Sequence, residues 1–183
     1  ALHQVCRAAK IKKVPVVADG GIRYSGDIVK ALAAGASAVM LGSLFAACLE
    51  APGKVVTLKR EQVPHRFLSF FNNKQKTMKF KSYQGMGSVA ALKRGGLARY
   101  GQENYKGKTL IAEGVEGLVP IKGKVSEVVE QLIGGLRAGM YYVGAKNIPE
   151  LWQKAKFIHV TPASSQENHP HNILITSPGE NYS

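Results

Sequence analysis

Cysteine is scarce in this chain, long apolar runs are missing, and acids are few. The 183 residues hold two cysteines, Cys6 and Cys48, with no metal-ligand spacing around them. That excludes a disulfide framework and a cysteine-based zinc site, and it suits a reducing cytoplasm. No stretch reaches the roughly 18 continuous apolar residues of a membrane span, and no secretory leader is legible, so no membrane partner is expected. Acids number 12 against 25 Lys and Arg, a formal net charge of +13. The excess is local. Residues 54–81 carry Lys54, Lys59, Arg60, Arg66, Lys74, Lys76, Lys79 and Lys81, eight cations against Glu61 alone, with Phe67, Phe70, Phe71 and Phe80 interleaved.

The densest information lies in residues 14–46, VPVVADGGIRYSGDIVKALAAGASAVMLGSLFA. Residues 14–18 form a short β-branched run that reads as a buried parallel strand, ending in Asp19-Gly20-Gly21. Ser25, with Asp27 behind it, opens a helix of good formers that Gly35 stops. Residues 37–41 read as a second buried strand, ending in Gly42-Ser43 before another helical stretch. Small residues let a ligand approach the backbone, and the unpaired N–H groups of such turns favour an anion. Each glycine alone is equally readable as a tight-turn residue. Two such turns in consecutive βα units, one beside a carboxylate, predict a shared phosphate site. A carboxylate there cannot contact the phosphate favourably, but it can accept hydrogen bonds from ribose hydroxyls.

Several motifs resemble the IMP dehydrogenase family, in family order: ADGGI at 18–22, SGD at 25–27, GAS at 35–37, VMLGS at 39–43, EAPG at 50–53, YQGMGS at 83–88, Arg99-Tyr100, EGVEG at 113–117, GGLRAGMYYVGAK at 134–146 and SQENHPHNILIT at 165–176. The resemblance implies an α/β fold, the C-terminal portion of a (β/α)8 barrel with a flap loop and a C-terminal tail. A closed barrel takes about 250 residues, and only two barrel strands are legible. The family's nucleophilic cysteine lies in a loop resembling GSICTT, which does not occur here. Cys6 and Cys48 both sit in segments that read as helix. The chain is therefore expected to be part of a longer polypeptide, to need the N-terminal half of the same barrel, and to be inactive alone. The expected organisation is 1–53 for the last βα units, 54–82 for a basic hairpin, 83–124 for the purine-contact segment and flap, and 125–183 for the final helices and tail.

The resemblance also implies roles. Gly21, Gly42, Ser43 and Tyr83 match residues that hold the nucleotide 5′-phosphate, Asp19 matches a ribose ligand, and Gly20 between Asp19 and Gly21 belongs to the same substrate-binding turn. Gly85, Met86 and Gly87 would lie along the purine; Met40 resembles another base-packing residue, with strand core as its alternative. Glu113 matches a base-contacting position. Arg99 resembles the general base toward the hydrolytic water and Tyr100 its partner. An arginine base is unusual, its pKa ordinarily being above about 12, and it requires a closed site. Ala98 and Gly101 depart from the family's usual neighbours of this pair. Glu167, Asn168 and His169 resemble the tail segment whose backbone carbonyls hold K+ beside a neighbouring subunit. A histidine-based transition-metal site, through His169 and His171, lacks a third ligand.

The implied activity is oxidation of IMP to XMP with NAD+ in a cytoplasmic homotetramer, with no residue of this chain assigned to the dinucleotide. GMP reductase, which uses NADPH, shares the phosphate turns and the YxGM segment, but in general not Arg99-Tyr100, EGVEG or the extended tail. A non-catalytic nucleotide- or nucleic-acid-binding protein is the third reading. For the basic segment the alternatives are a solvated hairpin with aromatics packed on the barrel rim, which is preferred, a polyanion surface, or a subunit contact.

Overall fold

A computed structural model describes residues 1–71, 75–96 and 112–167. The chain folds as two units, Ala1–Leu41 with Val129–Ser183, and Gly42–Val128.

The first unit opens with α1 (Leu2–Ile11), β1 (Val17–Asp19), α2 (Ser25–Ala33) and β2 (Ala38–Met40). β1 and β2 pair in parallel, Val17 with Ala38 and Asp19 with Met40. Both strands are shorter than the apolar runs that predict them. At residues 14–16 the chain is not paired as strand; the Val16 carbonyl instead accepts from the Ser37 amide at 2.8 Å. Nor are the strands buried throughout: Ala18 is enclosed, but Val17 and Met40 are each 53% exposed. Parallel strands are covered only where helices and further strands flank them, and two strands do not supply that cover. The small core here consists of Cys6, Ala18, Ala31 and Ala36, with Leu2, Val16, Ile22 and Val39 against it. Gly35 ends α2 at φ +110°, and a Cβ there would stand 2.9 Å from that of Cys6.

α2 starts as its sequence suggests, with one change of detail. Asp27, three residues into the helix, accepts from the amides of Arg23 and Tyr24, both at 3.0 Å, and pairs with Lys30 at 3.1 Å. The cap is thus a carboxylate reaching back over the first turn.

The second unit begins with α3 (Ser43–Ala46), followed by β3 (Val55–Lys59), β4 (Thr77–Gln84), α4 (Val89–Ala91) and β5 (Glu116–Pro120). Cys48 lies beyond α3, in a bridge to Gly123, and not in a helix as its flanking sequence suggests. β3 and β4 form the expected hairpin. β5 was not legible as a strand; it adds antiparallel to β4 to make a three-stranded sheet. One face of the hairpin builds its own core from Val63, Phe71 and Phe80, with Leu58, Leu68 and Met78. Phe71 and Phe80 therefore pack within the hairpin, their rings 6.5 Å apart, with the Arg60 guanidinium 5.9 Å from the Phe71 centroid.

α5 (Val125–Val143) runs from the second unit into the first, where α6 (Ile148–Lys154) and α7 (Pro162–Glu167) follow. Its glycines allow close packing on α2. A Cβ on Gly135 would overlap the Ser25 side chain, and one on Gly139 would stand 2.6 Å from Val29 Cγ2. Asn147 caps α6, accepting from the Glu150 amide at 2.9 Å, and Leu151 is fully buried. Among the described residues, no helix is long and apolar enough to cross a membrane.

Candidate functional site

In the first unit, Asp19 is the last residue of β1 and lies opposite Met40 at the end of β2. The two residues are thus paired at the carboxyl edge of a parallel pair, where barrel sites form. Gly20 and Gly21 follow at φ +95° and +77°, with nothing within 4 Å of a Cβ built on either. Glycine is required there by backbone conformation, and the space beside it is open.

In the second unit, Gly42 precedes α3, whose first hydrogen bonds run from the Ala46 and Ala47 amides to the Gly42 and Ser43 carbonyls. The amides of its first turn have no acceptor inside the helix. Gly42 has an ordinary φ of −93°. A Cβ on it would stand 3.7 Å from the Tyr83 hydroxyl, so β4 delivers that tyrosine to the turn. Ser43 is exposed at the start of α3.

The Gly85-Met86-Gly87 segment extends the β4–β5 ladder. The Gly85 amide donates to the Val115 carbonyl at 2.9 Å, and the amides of Glu113 and Gly114 donate to the Gly87 carbonyl at 3.1 and 3.0 Å. The Glu113 backbone is thereby fixed beside Gly87, and Met86 is 56% exposed. Gly114 is obligatory in this crossing: a Cβ would come within 2.7 Å of the Ser88 amide nitrogen.

Arg99, Tyr100, Asn168 and His169 lie outside the described residues. Glu167 closes α7. Among the described residues, no three His, Cys, Asp or Glu side chains gather as a metal site. Burial pushes the Cys6 thiol up; burial and then the Glu50 carboxylate push up Cys48. Lys81 and Lys122 pull Cys48 the other way without offsetting burial and Glu50, so neither thiol is held as the thiolate that a nucleophile requires.

Two residues that sequence reasoning passed over prove structural. Lys81, counted among the basic surface, is 2% exposed. Its Nζ donates to the carbonyls of Cys48, Leu49 and Ala51 at 2.6, 2.9 and 2.6 Å. Its position two residues before Tyr83, on the same strand face, was the available signal. Glu116, the second glutamate of EGVEG, accepts from the Ala90 amide at 2.9 Å, while the buried Ser88 hydroxyl accepts from Ala91 at 3.3 Å. Together they cap α4. Lys54, Lys59, Lys76 and Lys79 do remain exposed on the hairpin.

The IMP dehydrogenase / GMP reductase domain model matches residues 1–67 and 69–171. Inosine-5′-monophosphate dehydrogenase of Rhodopirellula baltica is 48% identical over the whole of this chain, which covers 31% of that protein. The same-named protein of Methanocaldococcus jannaschii is 49% identical, again over the whole chain and 35% of its own length. A solved GMP reductase C318A of Trypanosoma brucei, in complex with guanosine 5′-monophosphate, superposes with a TM-score of 0.71. It is 38% identical, with 94% of this chain and 31% of that one covered. The chain belongs to the IMP dehydrogenase / GMP reductase family. It spans about a third of the length of the curated relatives it matches, and by itself it closes no barrel: among the described residues, two parallel strands and a three-stranded antiparallel sheet are its only sheets.

Proposed function

We propose that this chain is the nucleotide-holding, C-terminal part of the catalytic barrel of an IMP dehydrogenase, which oxidises IMP to XMP. The observation that carries the reading is the Tyr83 hydroxyl beside Gly42, at a turn followed by unpaired amides. A phosphate fits there because amide and hydroxyl donors converge with no carboxylate among them. In this reading Gly21, Gly42, Ser43 and Tyr83 hold the 5′-phosphate, Gly20 belongs to the same turn as Gly21, and Asp19 accepts from the ribose hydroxyls. Gly85, Met86, Gly87 and Met40 flank the purine, and Glu113 meets its edge. Arg99 would withdraw the proton from the hydrolytic water, with Tyr100 as its partner. The nucleophilic cysteine belongs to the part of the enzyme outside this chain. NAD+, when bound, supplies the hydride acceptor.

The carbonyls of Glu167, Asn168 and His169 would hold K+. Neutral backbone oxygens suit a large, weakly hydrated monovalent ion. The enzyme is proposed to work as a cytoplasmic homotetramer.

GMP reductase is the second reading, favoured by the fold match to a GMP-bound relative. The higher identity to proteins named as IMP dehydrogenases, 48–49% against 38%, supports the first. The test is NADH formation from IMP by the whole protein in K+ and in Na+ buffers, beside NADPH oxidation with GMP. K+-stimulated NADH formation is expected. GMP-dependent NADPH oxidation without it would assign the chain to the reductase.

A further inference from the structure

Lys81 is enclosed, and its bonding closes arithmetically. An ammonium has three N–H donors and no acceptor, and the Nζ meets three carbonyls, those of Cys48, Leu49 and Ala51. No donor is left for a ligand. Alternation along β4 places Lys81 and Tyr83 on one face of the strand, and Phe80 on the other with the hairpin core. The register agrees: Lys81 pairs with Val55 and Val119, and Tyr83 with Gly117. One strand face therefore meets the segment from Gly42 to Ala51 at two points. Tyr83 reaches its first residue, and Lys81 gathers the carbonyls at its end. Between them lies α3, whose first turn carries the amides that follow Gly42.

We infer that Lys81 is a positioning residue for the nucleotide 5′-phosphate. By holding the carbonyls of Cys48, Leu49 and Ala51, it fixes α3 and so the distance between the Gly42-Ser43 amides and the Tyr83 hydroxyl. The inference rests on the phosphate role proposed for those three residues. Removing the ammonium leaves three carbonyls without donors in a buried place, and the segment must shift to hydrate them. A shift of an ångström in a binding constellation is enough to weaken it strongly.

The test uses the intact enzyme with Lys81→Met, Lys81→Arg and Tyr83→Phe. It compares KM and kcat for IMP with the affinities for IMP and for inosine, which lacks the phosphate. Lys81→Met is expected to raise the KM for IMP about 10-fold with kcat within about twofold, and to leave inosine affinity unchanged. Lys81→Arg keeps the charge but spreads its donors over a planar fork, and is expected to raise KM about threefold; it carries the test if the Met variant does not fold. Equal losses for IMP and inosine would show a general structural defect and overturn the inference, as would an unchanged KM for IMP in the folded variants. If Tyr83→Phe weakens IMP while the Lys81 variants do not, the inference alone falls. If Tyr83→Phe and the Lys81 variants all leave IMP affinity unchanged, the phosphate reading falls with it.

Discussion

The hydroxyl of Tyr83 lies 3.7 Å from the point where a Cβ on Gly42 would stand. That is ordinary van der Waals contact, and Gly42 has a φ that any residue adopts, so Gly42→Ala is compatible with the fold. The added methyl nevertheless occupies the space between hydroxyl and turn. Gly42→Ala is expected to leave the melting temperature within about 2 °C and to raise the KM for IMP at least about 10-fold. Scanning calorimetry and steady-state kinetics check the two halves. An unchanged KM would remove the phosphate from this turn. Gly21→Ala should behave differently, costing about 1–2 kcal/mol of stability as well, because its φ of +77° is strained for any L side chain.

The glycines of α5 divide cleanly. Gly135→Ala and Gly139→Ala press a methyl into Ser25 and Val29 of α2, and each is expected to destabilise by about 1–3 kcal/mol. Gly134, one residue away, has nothing within 4 Å of its Cβ position; Gly134→Ala should stabilise by about 0.5–1 kcal/mol through helix propensity. Urea unfolding of the three variants measures both signs.

Asp27 gives a pH signature. Partial burial pushes its carboxyl up, but the Arg23 amide, the Lys30 ammonium and the Tyr24 amide outweigh it and hold the carboxyl below its ordinary value. A depressed carboxylate stabilises fully above its unfolded-state pKa, and that stability is lost as pH falls through the folded-state value. Stability of the wild type should therefore decline in the acid range. Asp27→Asn should be less stable at neutral pH and show a shallower acid decline, read from unfolding midpoints across the pH series. Parallel curves for the two proteins would show that Asp27 does not contribute.

The parts legible in the sequence are those set by local pattern. The turn at Asp19-Gly20-Gly21, the start of α2 near Ser25 and its stop at Gly35 follow from capping and backbone rules that act over a few residues. Both glycine turns stand at strand ends as expected. Burial was less legible: Val17 and Met40 carry core-like side chains, but their cover depends on neighbours that two strands do not provide. β5 was hidden because EGLVP has too weak an alternation to declare a strand, and only pairing with β4 makes it one. Lys81 was misread as surface because composition counts its charge and cannot count the three carbonyls that converge on it.

The two thiols should be inert. Burial raises both, and neither Cys6 nor Cys48 presents an exposed thiolate. Iodoacetamide at neutral pH is expected to leave both unlabelled in the native enzyme and to label both after denaturation, with peptide mass spectrometry as the readout. Fast native labelling of Cys48 would reopen it as a nucleophile.

Gly87 and Glu113 are tied by a main-chain bond, with Gly114 crossing close above it. The chain thus leaves this ladder at Gly87 and returns to it at Glu113, with 25 residues, 88–112, between the two. Closing a connection costs only about 0.6 kcal/mol more for each doubling of its length. Beyond Leu92, which is fully buried, the length of that stretch can therefore change at little cost to the purine-side residues. The ladder works as a socket: evolution, or an engineer, can exchange what is plugged into it and keep the nucleotide-binding frame.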